Sequence, residues 1–348
     1  MSRADIEFIA MCNDILKHGT SSEGHEVRAR WQDGTPAHTI MKFAEVNRFD
    51  LQKEFPVLTL RKVATKSALD ELLWIWQKKS NNIHQLKSHI WDEWANEYGS
   101  IGKAYGYQLG LQNYCSDVTL EGLRNAFPES EGYYYDEVGR EYVQVIDDKK
   151  RVAASKLGMI LFSEEGSHGQ MLQHVFSVSA RNGWYMDQVD KVIYDLKNHP
   201  FSRRIMTTLW NPADLAEMNL QPCAWNCEFV VEQKPGHDKL TLNMILNQRS
   251  QDILAAWHWN TYQYACLILM LAQVCDMEPG EFVHIDANCH IYDRHVETIK
   301  ELIQRKPLAA PEVWINPDIH DFYKFTADDI KMIGYEVSGP QVNVEIAV

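Results

Sequence analysis

The sequence predicts an α/β (α+β) protein, and three observations predict it. Apolar residues recur at helical spacing over residues 4–18, 67–77, 186–198 and 261–274. Between and around these lie stretches whose side chains alternate, at 205–210, 223–230, 239–250 and 282–285. Gly and Pro mark the joints, as at His18-Gly19, Asn198-His199-Pro200 and Glu278-Pro279-Gly280. The 348 residues are 45% hydrophobic and 24% charged, ordinary for a globular chain with ample core.

Composition excludes several classes. No run of about eighteen apolar residues exists, so no membrane span is expected. The start, Met1-Ser2-Arg3-Ala4-Asp5-Ile6-Glu7, carries acids and reads as a helix start, not a signal peptide. Seven cysteines without C-x-x-C pairing fit reduced thiols in a cytoplasmic protein. They offer no disulfide framework, and no metal is expected. The net charge of −14 argues against a generic nucleic-acid binder. Any small anion it binds needs cations concentrated locally, which draws attention to Arg203, Arg204 and Arg249.

Taken in order, residues 4–18 form a helix closed at Gly19. Residues 26–39 are polar and Gly/Pro-marked, a loop carrying Arg28 and Arg30. Ser67 is a plausible N-cap for a buried helix through Leu69, Leu72, Leu73, Ile75 and Trp76. Glu71 sits inside that apolar pattern, where a carboxylate is costly unless paired or functional. Trp91 and Trp94 follow, then Tyr105 between Gly102 and Gly106, which let backbone approach closely. From about 112 to 180 the pattern loosens, which reads as a surface insertion. The helix at 186–198 precedes Arg203-Arg204 and a strand. Pro222 starts the next strand, which places Cys223, Trp225, Cys227 and Phe229 on one face. An isolated cysteine there is ordinarily a buried structural one. Gln248, Arg249 and Ser250 close the strand at 239–250, and Asn260 leads into the apolar helix at 261–274. Residues 290–305 read as a helix with a polar start, and an apolar tail ends at Val348.

Several of these pieces recur together in one family. The Pro222-Cys223 pair, Ser202-Arg203-Arg204, Gln248-Arg249-Ser250-Gln251-Asp252, Asn260 and His290-Ile291-Tyr292 resemble, in order, the motifs of thymidylate synthase. The resemblance covers nearly the whole chain and implies one catalytic domain over residues 1–348. It implies a large mixed sheet with flanking helices, whose back face forms a twofold homodimer. It also implies reductive methylation of dUMP at C5, with 5,10-methylenetetrahydrofolate giving carbon and hydride.

By the same resemblance Cys223 is the nucleophile, with Glu71, Tyr105 and Asn260 as its catalytic companions. Arg203 and Arg204 reach across the dimer to the partner's phosphate, joined by Arg249 and Ser250. Gln248 lies among the substrate contacts, Asn260 reads the uracil edge, and His290 and Tyr292 hold the ribose. Asp252 contacts the base or the folate. Trp91 and Trp94 line the folate pocket and Val348 folds over it. A loop arginine, Arg28 or Arg30, closes on the phosphate. A free thiol has a pKa of about 8.5, and nearby arginines are expected to lower it.

The sequence departs from the commonest pattern in three places: Ala224 after the cysteine, Ala255-Ala256-Trp257-His258-Trp259 before Asn260, and Asp286-Ala287-Asn288 before His290. These resemble a branch of the family found in Gram-positive bacteria. Two rivals remain at this level. One is a dUMP hydroxymethylase on the same scaffold, with water replacing hydride. The other is an RNA-binding protein without catalysis, which Cys223 and the acidic balance disfavour.

Overall fold

The computed structural model describes residues 1–127, 133–136, 141–145, 151–153, 177–178 and 184–348. Its centre is a seven-stranded mixed sheet. The long strand Glu278–Tyr292 runs antiparallel to Thr39–Asp50 on one side and parallel to Thr241–Gln248 on the other. Thr241–Gln248 then pairs antiparallel with Ala224–Glu232, and that strand with Met206–Thr208 at the edge. Gln251–Asp252 adds a short parallel pairing beside Cys289 and His290.

A parallel pair needs a crossover, and helix His258–Val274 supplies it. That helix is apolar around most of its circumference and is buried almost throughout. Helix Thr65–Trp76 packs against it and carries Glu71 into the interior. Helix Arg3–His18 covers the same side of the sheet through Phe8, Met11 and Ile15.

Among the described residues the opposite sheet face is left open. Register places Arg48, Val283, Ile245, Glu228 and Met206 in one row across it. Val46, Val230 and Met206 are 50%, 48% and 48% exposed. A sheet face carrying such residues is an interface in search of a cover.

Four expectations change. The buried helix begins at Thr65 after Ala64, with no side-chain cap, so Ser67 lies inside it. Instead the chain entering the helix is held by Tyr335, whose hydroxyl accepts from the Val63 N–H at 3.0 Å. A register shift between Ala224 and Asn226 interrupts the alternation after Cys223. Below it Cys227, Phe229 and Val231 are buried, while Trp225 is left only half-buried. His290 and Tyr292 belong to the end of the long strand, and the helix following them is only Val296–Leu302. Pairing of Cys289 to Tyr292 with Lys42 to Thr39 outweighs their polar, helix-start appearance. Pro279 and Gly280 likewise open that strand instead of ending a helix.

Both glycines flanking Tyr105 act as expected. Gly102 has φ +74°, and a Cβ there would strike the Glu217 carbonyl oxygen. A Cβ on Gly106 would meet Ser80 N at 2.6 Å. Of the stretch at 112–180, the described residues include helix Leu120–Ala126 and strand Asn113–Cys115, paired with Trp184–Met186. Most of the expected insertion lies outside the described residues.

The segment Ala255–Trp259 is anchored by Trp257, which is fully buried. Its ring lies 5.7 Å from Phe8 and 6.3 Å from Phe49, and its Nε1 donates to Asn47 Oδ1 at 3.0 Å. Trp257→Ala is expected to cost about 3–5 kcal/mol of stability, read as a lowered urea midpoint at unchanged slope.

Candidate active site

Cys223 stands between Pro222 and the irregular start of its strand, and three backbone and side-chain bonds fix it. Its carbonyl accepts from Arg249 N at 2.9 Å, and its N–H donates to the Tyr105 hydroxyl at 3.1 Å. The Arg249 guanidinium donates to Pro222 O at 3.0 Å and Gln221 O at 2.7 Å, with Nη2 3.9 Å from Cys223 Sγ. Trp210 lies under that guanidinium at 5.6 Å. Among the seven free cysteines, Cys223 alone is not fully buried.

The thiol's acidity differs from the expectation. Burial pushes the Cys223 pKa up, against the opposing pull of Arg249, the Tyr105 hydroxyl and Arg28. Both arginines pull it down as expected, but desolvation is the larger effect.

Tyr105 has φ +47°, a conformation that non-glycine residues rarely adopt. It turns the ring edge-on to Trp91, 5.0 Å away, and the hydroxyl toward Cys223. Burial holds its phenol well above the usual range. Trp91 is buried and also touches Trp94 at 5.7 Å and Trp74 at 6.0 Å. Trp94 stays half-buried.

Glu71 is 6% exposed and receives three N–H groups. Trp91 Nε1 donates to Oε1 at 2.6 Å, Gln263 Nε2 to Oε2 at 2.6 Å, and Trp259 Nε1 also to Oε2. Burial raises its pKa, and the three donors hold the rise in check. The sequence reading missed Trp259 and Gln263. The one visible signal was a glutamine inside an otherwise apolar helix, three residues after Asn260.

Asn260 connects to the same group. Its Nδ2 donates to Gln263 Oε1 at 3.2 Å, and its Oδ1 accepts from Gln248 Nε2 at 3.2 Å. Gln248 is buried at the end of its strand, where its backbone pairs with Ala224. Ser250 follows, half-buried, its carbonyl accepting from Gln248. Asp252 caps the π-helical turn Ile253–Trp257, accepting from Leu254 N at 2.9 Å and Ala255 N at 3.1 Å. His295 Nδ1 lies 3.7 Å from the same carboxylate oxygen. His290 bonds to Asn288 Oδ1 at 2.9 Å and meets the Tyr292 ring edge-on at 5.1 Å. Burial lowers the His290 pKa, favouring neutral imidazole, and pushes the Tyr292 phenol up to about 12.

The C-terminal residue meets the loop that carries Arg28 and Arg30. Val348 exchanges two backbone hydrogen bonds with Arg30, at 2.8 and 2.9 Å. Arg294 pairs with both Asp33 and Glu345, and His295 Nε2 bonds to the Glu345 carbonyl at 2.9 Å. Arg28 is exposed, and its charge acts on both Cys223 and Tyr292. Arg203 and Arg204 stand apart. Both are exposed at the turn before Met206, with no ion pair to a carboxylate among the described residues. Among the described residues no cluster of His, Cys, Asp or Glu is suited to hold a metal ion. No helix there is long and apolar enough to cross a membrane.

Comparison with known proteins gives one answer. A family model described as thymidylate synthase matches residues 6–348. Thymidylate synthase of Bacillus subtilis subsp. natto is 36% identical over 352 residues, covering all of both chains. The same figures hold for thymidylate synthase of Bacillus phage phi3T and for thymidylate synthase 1 of Bacillus subtilis strain 168. The solved structure of thermostable thymidylate synthase A from Bacillus subtilis superposes with a TM-score of 0.72 at 35% identity, covering 99% of each chain. With its mixed sheet and its full-length match, the chain belongs to the thymidylate synthase family.

Proposed function

We propose that this chain converts dUMP to dTMP by reductive methylation at C5, as a folate-dependent methyltransferase. The observation that carries the assignment of roles is the meeting of one accessible thiol, Cys223, with a buried carboxylate, Glu71, through Tyr105 and Trp91. The chemistry calls for both. Uracil C5 is a weak nucleophile, and bond formation between Cys223 Sγ and C6 moves electron density to C5. A base must later take the C5 proton, and the Cys223–C6 bond must break to restore the ring. Methylenetetrahydrofolate supplies the one-carbon unit and the hydride, and leaves as dihydrofolate.

The chain's own residues divide the remaining work. Arg249 and Tyr105 hold the Cys223 backbone in place, and Arg249, Ser250 and Arg28 surround the phosphate. Arg28 is the better candidate of the two loop arginines, because its charge acts on both Cys223 and Tyr292. Asn260 and Gln248 face the base, while His290 and Tyr292 serve the ribose. Glu71 handles protons, with Asp252 at the base or folate edge. Trp91 and Trp94 offer flat apolar walls suited to a pterin, and the tail ending at Val348 closes over it. A substrate anion fits an acidic chain here because Arg28 and Arg249 act on one spot.

The uncovered sheet face supports a twofold homodimer through Val46, Val230 and Met206. Arg203 and Arg204, unpaired with carboxylates among the described residues, then serve the partner's phosphate. Seven unpaired thiols suit a reducing cytoplasm.

Incubation with dUMP and methylenetetrahydrofolate is expected to yield dTMP and dihydrofolate in equal amounts. Tetrahydrofolate with a hydroxymethylated nucleotide would instead mean that water completes the reaction. Cys223→Ser is expected to abolish turnover while dUMP still binds, as calorimetry would report. With Glu71 working as the ionised base, turnover falls on acidification, with its limb above the ordinary glutamate value of about 4.3. A pH–rate profile of Glu71→Gln, with most of the rate gone and that limb absent, would bear this out.

A further inference from the structure

A chain of side-chain hydrogen bonds runs from Glu71 into the sheet, and every link has a single direction. Gln263 Nε2 lies 2.9 Å from the Ala68 carbonyl oxygen and 2.6 Å from Glu71 Oε2. A carbonyl oxygen only accepts, so that end of the Gln263 amide is its NH2 group. Its oxygen therefore faces Asn260 Nδ2 at 3.2 Å, which turns Asn260 Oδ1 toward Gln248 Nε2, also at 3.2 Å. The Ser250 carbonyl, 3.2 Å from Gln248 Nε2, fixes that amide the same way, and Gln251 Oε1 shares the same nitrogen. The Gln248 oxygen is then the acceptor 2.9 Å from His284 Nε2, which must carry the ring proton. The Asp286 carboxylate lies 3.1 Å from that nitrogen without a hydrogen bond to it. The Thr261 hydroxyl completes the ring by donating to Nδ1 at 3.3 Å.

Each amide donor in this series points toward Glu71. Gln248 and Gln263 are 2% and 3% exposed, and His284 and Asp286 are fully buried, so water cannot substitute for a lost link. Asn260 is left with one free N–H and one free oxygen lone pair in a fixed order. That order matches the O4 and N3–H of uracil. Cytosine reverses both, with an acceptor at N3 and an amino group at C4.

We propose that Gln263 and His284 are positioning residues that fix the polarity of the Asn260 amide and so select uracil over cytosine nucleotides. The proposal rests on Asn260 reading the base, as set out above. Gln263 holds Asn260 from the helix side and His284 holds it from the sheet side through Gln248. Only Gln263 also touches Glu71, which gives the two residues different signatures.

The test measures dissociation constants for dUMP and dCMP by calorimetry, and the pH–rate profile with dUMP, for the wild type, Gln263→Leu and His284→Met. Each variant is expected to lower the preference for dUMP over dCMP by about five- to tenfold, the weight of one buried hydrogen bond. Gln263→Leu should also move the acid limb of the profile to higher pH, because Glu71 loses a donor. His284→Met should leave that limb in place. A folded Gln263→Leu with the wild-type preference and the wild-type limb overturns the proposal. Should Gln263→Leu fail to fold, an unchanged preference in His284→Met overturns it equally. A wild-type protein that binds dUMP no better than dCMP would defeat the assignment of Asn260 itself, a result distinct from either.

Discussion

A carboxylate carried into a protein interior must be met by donors, and Glu71 is where this fold answers that demand. An unpaired ion there would cost several kcal/mol or would neutralise. The donors come from two separate segments: Trp91 beyond the helix that carries Glu71, and Trp259 and Gln263 in the first turns of the crossover helix. Indole N–H groups can only donate, so their orientation is not negotiable. Satisfying one buried charge therefore fixes the relative placement of two helices and two tryptophan faces.

A second grip works on the thiol. Arg249 reaches back across its own strand pairing to hold Gln221 and Pro222, and its N–H holds the Cys223 carbonyl. Because Ala224 stands opposite Gln248, the thiol segment and the amide chain lie on adjacent strands. The two polar systems thus share a register, and a shift of one residue would separate Cys223 from the amide chain that ends at Asn260. The irregularity at Ala224–Asn226 is where the strand accommodates both requirements.

Much of this was legible in the sequence, and the limits have physical causes. Glu71 stood out because a charge in an apolar helical period needs a reason. Cys223, Arg249 and Asn260 stood out by motif order. The helix expected at residues 290–305 was half wrong because a long-range pairing with residues 39–42 overrode local polarity. Alternation after Cys223 failed because a bulge leaves no mark on a side-chain pattern. Arg28 and Arg30 look alike in the sequence, and only the fold brings the Arg28 charge to act on Cys223 and Tyr292. Gln263 was passed over since a lone polar residue on a buried helix acquires meaning only from the carbonyl and carboxylate that face it.

The proposed function requires a nucleotide laid between the Cys223 thiol and the Asn260 amide. A crystal structure with dUMP bound tests this most directly. Uracil C6 is expected in contact with Cys223 Sγ, the Asn260 amide on the O4 and N3 edge, and the phosphate among Arg249, Ser250 and Arg28. A uracil ring away from the sulfur, or a phosphate met by no arginine, would contradict it.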